Sequence, residues 1–159
     1  MKTIRSYLDK LIMFVGCLFT IIMVIGAIWQ VFSRYVLGDP STFTEELLRF
    51  GLIWTTMLGA SYAFGTNQHL AITALLDKLK GKNQKSLRMV NDLFIIGFAG
   101  AVMIKGGSNI VITTMTQLTP ILQIPVGVIY SILPISGTII IIYQLLNMPD
   151  WLRKKEETL

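Results

Sequence analysis

From Leu11 to Ser33, from Phe50 to Gln68 and from Gly106 to Pro149 the chain carries no Asp, Glu, Lys, Arg or His. Uncharged runs of about 18 residues or more are long enough to cross the hydrocarbon core of a bilayer as helices. The composition agrees: 53% of the 159 residues are hydrophobic and 14% charged, against roughly 25% charged in a soluble domain. Such a chain cannot cover a surface facing water. That excludes a soluble enzyme and a nucleic-acid-binding domain, since the formal net charge of +5 is loop charge and not a basic face. Cys17 is the only cysteine, so a disulfide scaffold is excluded too, and a single thiol in an apolar helix acts as a small apolar residue.

The expected fold class is all-α, an integral membrane protein with four transmembrane helices in a single membrane domain over 1–159. The first span is expected at about 11–37. It follows a basic start containing Lys2, Arg5 and Lys10, but its apolar run is too long for the core of a secretory signal and no small-x-small cleavage site follows, so it reads as a retained helix. The second span is expected at about 47–66, the third at about 87–117 and the fourth at about 126–146. Pro120 and Pro125 separate the last two, because both cannot lie inside one straight helix. Runs of this length without alternation exclude a closed barrel.

Lys and Arg set the orientation. With both termini in the cytoplasm, eleven of the 14 basic residues fall inside, Arg34 and Arg49 fall outside, and Lys105 lies in the membrane. The reverse topology inverts that ratio, so the N-in, C-in arrangement is expected. In the inner connection Ile72, Leu75, Leu76 and Leu79 recur at helical spacing ahead of lysines and Gly81. An interfacial amphipathic segment at about 70–80 accounts for this, as does a simple extension of the second helix.

The outer connection reads Gly38-Asp39-Pro40-Ser41-Thr42-Phe43-Thr44-Glu45-Glu46. Gly-Asp-Pro makes a turn, and Thr42 with Glu45 has the spacing of a capping box. Arg49 follows Glu45 by four residues and Glu46 by three, so it can pair with either carboxylate. Two acids and a base at the mouth of an apolar helix are a concentrated polar feature. They serve equally well as a solvated helix start that complements the helix dipole.

Catalytic chemistry is missing: Cys17 and His69 are each single, with no catalytic triad, metal cluster or phosphate loop. His69 follows Asn67-Gln68 at the inner end of the second span, where it reads as an interfacial polar residue. An autonomous ion-coupled carrier normally keeps an acid inside the bilayer, whereas every Asp and Glu here lies at or beyond a span end. The one intramembrane charge is Lys105, about 20 Å beyond Asp92 along the helix axis. A lysine at the bilayer centre costs roughly 2.5–3.5 kcal/mol. Beyond it Ser108, Asn109, Thr113, Thr114, Thr116 and Gln117 make the outer part of the span polar. Gly59-x-x-x-Ala63 and Gly97-x-x-x-Ala101 have the small-residue spacing of helix contacts.

Phe43-Thr44-Glu45-Glu46, Arg49, Trp54, Leu58-Gly59-Ala60 and His69-Leu70-Ala71-Ile72, preceded by Gln30-Val31-Phe32-Ser33-Arg34-Tyr35, resemble the small membrane subunit (DctQ type) of tripartite ATP-independent periplasmic, or TRAP, transporters. The likeness departs from the family pattern in having Thr42-Phe43 where a tryptophan is usual and Asn67-Gln68 before the histidine. It implies a secondary transport system of a bacterial inner membrane, in which a periplasmic substrate-binding protein captures an organic acid such as sialic acid or a C4-dicarboxylate. A large membrane subunit then moves it with sodium. The small subunit braces the large one and helps receive the binding protein, with no cofactor of its own. Since the chain ends at Leu159, the large subunit is expected as a separate chain. Arg34, Glu45, Glu46, Arg49, Trp54, His69 and Lys105 are the residues expected to meet partners or to hold polar structure.

Overall fold

The computed structural model describes residues 2–65 and 82–153. His69 and the amphipathic segment expected at 70–80 lie outside the described residues. Among those described, the chain is helical, with one isolated antiparallel bridge between Leu118 and Pro125.

Helix α1 (Lys2–Phe32) widens into a π-helical turn, Ser33–Leu37, and stops at Gly38. Gly38 has φ +70° and its N–H bonds the Ser33 carbonyl, a left-handed terminus that glycine adopts without steric cost. Helix α2 (Thr42–Gly65) begins directly after. Its cap is Ser41, one residue before the expected Thr42: the Thr44 N–H donates to Ser41 Oγ at 3.4 Å, and the two hydroxyls lie 2.7 Å apart. The shift has a tertiary cause. The buried Ser33 hydroxyl takes the Ser41 N–H at 3.3 Å, which anchors Ser41 as the last residue before the helix and leaves Glu45 free to point outward.

Helix α3 (Lys82–Phe98) runs through a second π-helical segment (Ala99–Gly106) into α4 (Gly107–Thr114) without a break. A looped connection follows, and the chain returns through α5 (Val126–Tyr130) and α6 (Ile132–Arg153). These last two are offset at Ser131 because Pro134 has no N–H to close on the Tyr130 carbonyl; Ser131 Oγ instead bonds the Val128 carbonyl at 2.6 Å.

Three stretches among the described residues are long and apolar enough to cross a membrane: Arg5–Leu37, Met89–Thr114 and Val126–Asn147. Helix α2 has 24 residues, about 36 Å at 1.5 Å per residue. Arg49, four threonines, three glycines, Ser61 and Tyr62 dilute its apolar character and keep it outside that set.

The helices stand in an open row. Helix α1 packs on α2, α2 on α6, and α6 on the π segment and α3, while α5 lies against α4. Side-chain bonds show the order of the ends. Arg5 of α1 and Asn147 of α6 both donate to the Gly65 carbonyl at the end of α2, each at 3.0 Å. Tyr143 Oη donates to Asp9 at 2.6 Å, and Gln144 Nε2 donates to Asp92 of α3 at 3.1 Å. The starts of α1 and α3 and the ends of α2 and α6 therefore share one end of the row.

Packing is closest between α2, α6 and the π segment, where Ser61, Ala99, Ile132, Ser136, Ile140 and Tyr143 are buried. Ser61 Oγ bonds the Met57 carbonyl of its own helix at 2.8 Å and reaches the Ser136 carbonyl of α6 at 3.4 Å. Small residues permit such approach. They are not the ones expected from spacing: Gly59 and Gly97 face open space, whereas a Cβ on Gly65 would sit 2.6 Å from the Tyr143 ring and one on Gly137 would sit 2.8 Å from Met103. A four-residue spacing marks one face of a helix but does not say which face has a neighbour.

Candidate functional site

The polar residues at the start of α2 part company. Glu45 and Arg49 pair with each other at 3.4 Å on the surface, with side chains 47% and 71% exposed. Glu46, on the next helical position, is 7% exposed and turns about 100° away from Glu45. One of its oxygens accepts the Ile121 N–H at 3.1 Å and the Leu122 N–H at 2.8 Å. Of the two carboxylates open to Arg49, then, Glu45 is the partner, and Glu46 is a clamp on the connection between α4 and α5. Bonds to an ionised acceptor are stronger than neutral ones, and a carboxylate in the first turns of a helix also complements the helix dipole.

The connection Glu46 holds is itself closed by hydrogen bonds. The Thr119 N–H meets the Ile124 carbonyl at 3.0 Å, and Thr119 Oγ1, on a buried residue, accepts the Ile124 N–H at 3.2 Å. Gln123 adopts φ 53°, where residues other than glycine are uncommon; its amide donates to the carbonyls of Thr119 and Pro120 at 3.1 and 3.0 Å. Glu46 thus supports a preshaped loop.

Trp54, eight residues further along α2, makes the second tie. Its indole N–H donates to the Ile129 carbonyl of α5 at 3.0 Å, and its ring stacks on Phe19 of α1 with centroids 5.9 Å apart. Between these ties opens an apolar groove of about 350 Å³ lined by residues of α1, α2 and the 122–129 segment, among them Ile22, Phe50, Leu122 and Val128. Glu46 and Trp54 are joined by their grip on one segment. Arg34 is exposed in the first π turn, and Lys105 is exposed in the second.

Several residues that hold the molecule together carry no warning in short motifs. Ser33 and Thr119 are buried hydroxyls that organise two turns. Asp9 and Asp92, which read as span-end charges, are acceptors for Tyr143 and Gln144. A signal for the last group does exist. Tyr143, Gln144 and Asn147 are polar side chains clustered within one helical turn of an otherwise apolar stretch, and all three are buried.

The tripartite ATP-independent periplasmic transporter DctQ component model matches residues 23–154. A protein of Haemophilus influenzae assigned as a TRAP transporter small permease is 26% identical over 140 residues, covering 88% of this chain and 86% of its own. The sialic acid TRAP transporter small permease protein SiaQ of Vibrio cholerae is 28% identical over 117 residues, covering 74% of this chain and 67% of its own. The isethionate TRAP transporter permease protein DctMQ of Oleidesulfovibrio alaskensis is 27% identical over 97 residues, 60% of this chain but 15% of that much longer protein. With the family pattern running from the second half of the first membrane-length helix through the clamped loop and the other two, the chain belongs to the DctQ component family of TRAP transporters: a multi-pass inner-membrane permease subunit and not an enzyme.

Proposed function

We propose that this chain braces the large membrane subunit of a TRAP uptake system and helps its periplasmic substrate-binding protein engage. The observation that carries this reading is the open row of helices. In an apolar 18-residue stretch of each span, 6% of the residues are buried for 5–37 and 11% for 89–114, against 39% for 126–147. Among the described residues the row offers two broad faces for packing and encloses no centre of its own. Similarity to a 97-residue part of the longer DctMQ permease supports a place beside a larger permease unit.

In this reading α2 crosses the membrane with the other three runs, giving four spans. Both termini face the cytoplasm, as the distribution of Lys and Arg supports. The clamped 119–124 loop then faces the periplasm beside the exposed Glu45–Arg49 pair and Arg34, where a soluble partner can reach them. Sodium coupling belongs to the large subunit. The relatives' names attach sialic acid to one and isethionate to another. A third relative is named for ectoine, a zwitterion that also carries a carboxylate; the solutes share an acid group, and an organic acid, sialic acid or a C4-dicarboxylate among the candidates, is the substrate class proposed.

The test is uptake in cells that carry the binding protein and the large subunit, with and without this chain. Loss of uptake without it is expected; undiminished uptake overturns the reading. Solute flux through liposomes holding this chain alone would establish a free-standing carrier instead.

A further inference from the structure

We propose that the exposed face of the 82–114 helical run centred on Lys105 seats a transmembrane helix of the large membrane subunit, and that a carboxylate on that helix pairs with the Lys105 ammonium. This rests on the reading of the chain as the bracing subunit. Leu93, Gly97, Ala101, Lys105, Asn109 and Thr113 follow one another at intervals of four and are all exposed. In a straight α-helix a line of residues four apart drifts about 40° around the axis at each step. The π segment Ala99–Gly106 takes in more residues per turn, which cancels the drift and keeps the line on one side of the run. Without it Lys105 would turn away from Gly97.

The chemistry along this line is wrong for lipid tails and right for a helix. Lys105 and Asn109 have no side-chain partner among the described residues, and Lys105 lies about 13 Å inward of the helix end at Thr114. An ammonium at that depth is retained where it pairs. A Cβ added at Gly97 would meet no atom within 4 Å, so the space above Gly97 is open, and the small side chains of Gly97 and Ala101 let another backbone come close. The ammonium offers only donors and the neighbouring amide offers donors as well, so the complementary group is an acceptor carrying negative charge. A second copy of this chain, docked symmetrically on the same face, would bring Lys105 toward its own counterpart. Like charge at the centre of the contact disfavours it.

The experiment co-expresses both membrane subunits, captures this chain from solubilised membranes through an affinity tag, and measures how much large subunit accompanies it. Lys105→Arg should recover the wild-type amount. Lys105→Glu should lower recovery at least tenfold, and Ala101→Leu should do the same by filling the approach. A photo-crosslinking residue in place of Asn109, in an otherwise wild-type chain, should form an adduct with the large subunit. Wild-type recovery from both Lys105→Glu and Ala101→Leu overturns the proposal. So does a crosslink at position 109 that captures only phospholipid, the outcome if the lysine snorkels to a headgroup phosphate, or only a second copy of this chain. Failure of the wild-type chain to recover any large subunit counts against the bracing role itself, whereas recovery with no adduct at position 109 counts only against this face.

Discussion

A carboxylate oxygen of Glu46 lies 2.8 Å from the backbone nitrogen of Leu122, 76 residues further along the chain. The neighbouring Glu45 faces outward to Arg49. Two consecutive acids thus act at different levels, one holding the fold of the 119–124 loop and one remaining on the surface.

Glu46→Ala leaves the N–H groups of Ile121 and Leu122 without their acceptor. Both bonds are only part-buried, so water can take over in part and the loss should be about 0.5–1.5 kcal/mol, the net worth of a hydrogen bond. Thermal unfolding in detergent should show a loss in that range, amide exchange at Ile121 and Leu122 should quicken, and uptake should fall while expression persists. Unchanged exchange at both amides would show that the clamp does not hold in the membrane.

Arg49→Ala separates a surface role from a structural one. An exposed pair of this kind contributes about 0.2–1 kcal/mol, so stability should barely change. Uptake by the assembled transporter should nonetheless fall if the pair meets a periplasmic partner. Wild-type uptake would assign the pair to helix solvation alone.

Gly65→Ala and Gly59→Ala form a matched pair. The new methyl at Gly65 would sit 2.6 Å from the Tyr143 ring, whereas at Gly59 it would meet nothing within 4 Å. Forcing an extra carbon into a packed contact costs about 1–3 kcal/mol. Gly65→Ala should therefore lower the unfolding temperature and Gly59→Ala should not. Equal effects would contradict the α2–α6 contact described above.

Tyr143→Phe removes the bond between the ends of α1 and α6, where the hydroxyl reaches Asp9 at 2.6 Å. Hydrogen bonds between membrane helices average about 0.6 kcal/mol and reach about 1.7 kcal/mol. With a carboxylate as acceptor the upper part of that range is expected, measured by unfolding of the purified protein. In a double-mutant cycle with Asp9→Asn, the two losses should be less than additive.

What the sequence determined alone was the solvent the chain folds in and the family to which its motif belongs. Long uncharged runs leave few choices in a bilayer, where every backbone group must be satisfied within a helix. Pro120, Pro125 and the Gly38-Asp39-Pro40 turn marked where helices stop, since proline and glycine act locally on φ and on hydrogen bonding. The start of α2 was legible only to within a residue, because the cap at Ser41 is selected by Ser33 from the previous helix.

Only the tertiary structure decided which polar residues were structural. Glu45 and Glu46 are chemically alike and adjacent, and a helix turns them about 100° apart; which one is buried depends on where the 119–124 loop returns. The same holds for the small-residue spacings. Gly59 and Gly97 carry the expected pattern and face open space, while Gly65 and Gly137 receive neighbouring atoms. A residue's type sets the bonds and approaches it can make. Whether it makes them depends on segments tens of residues away, and that information enters only when the helices pack.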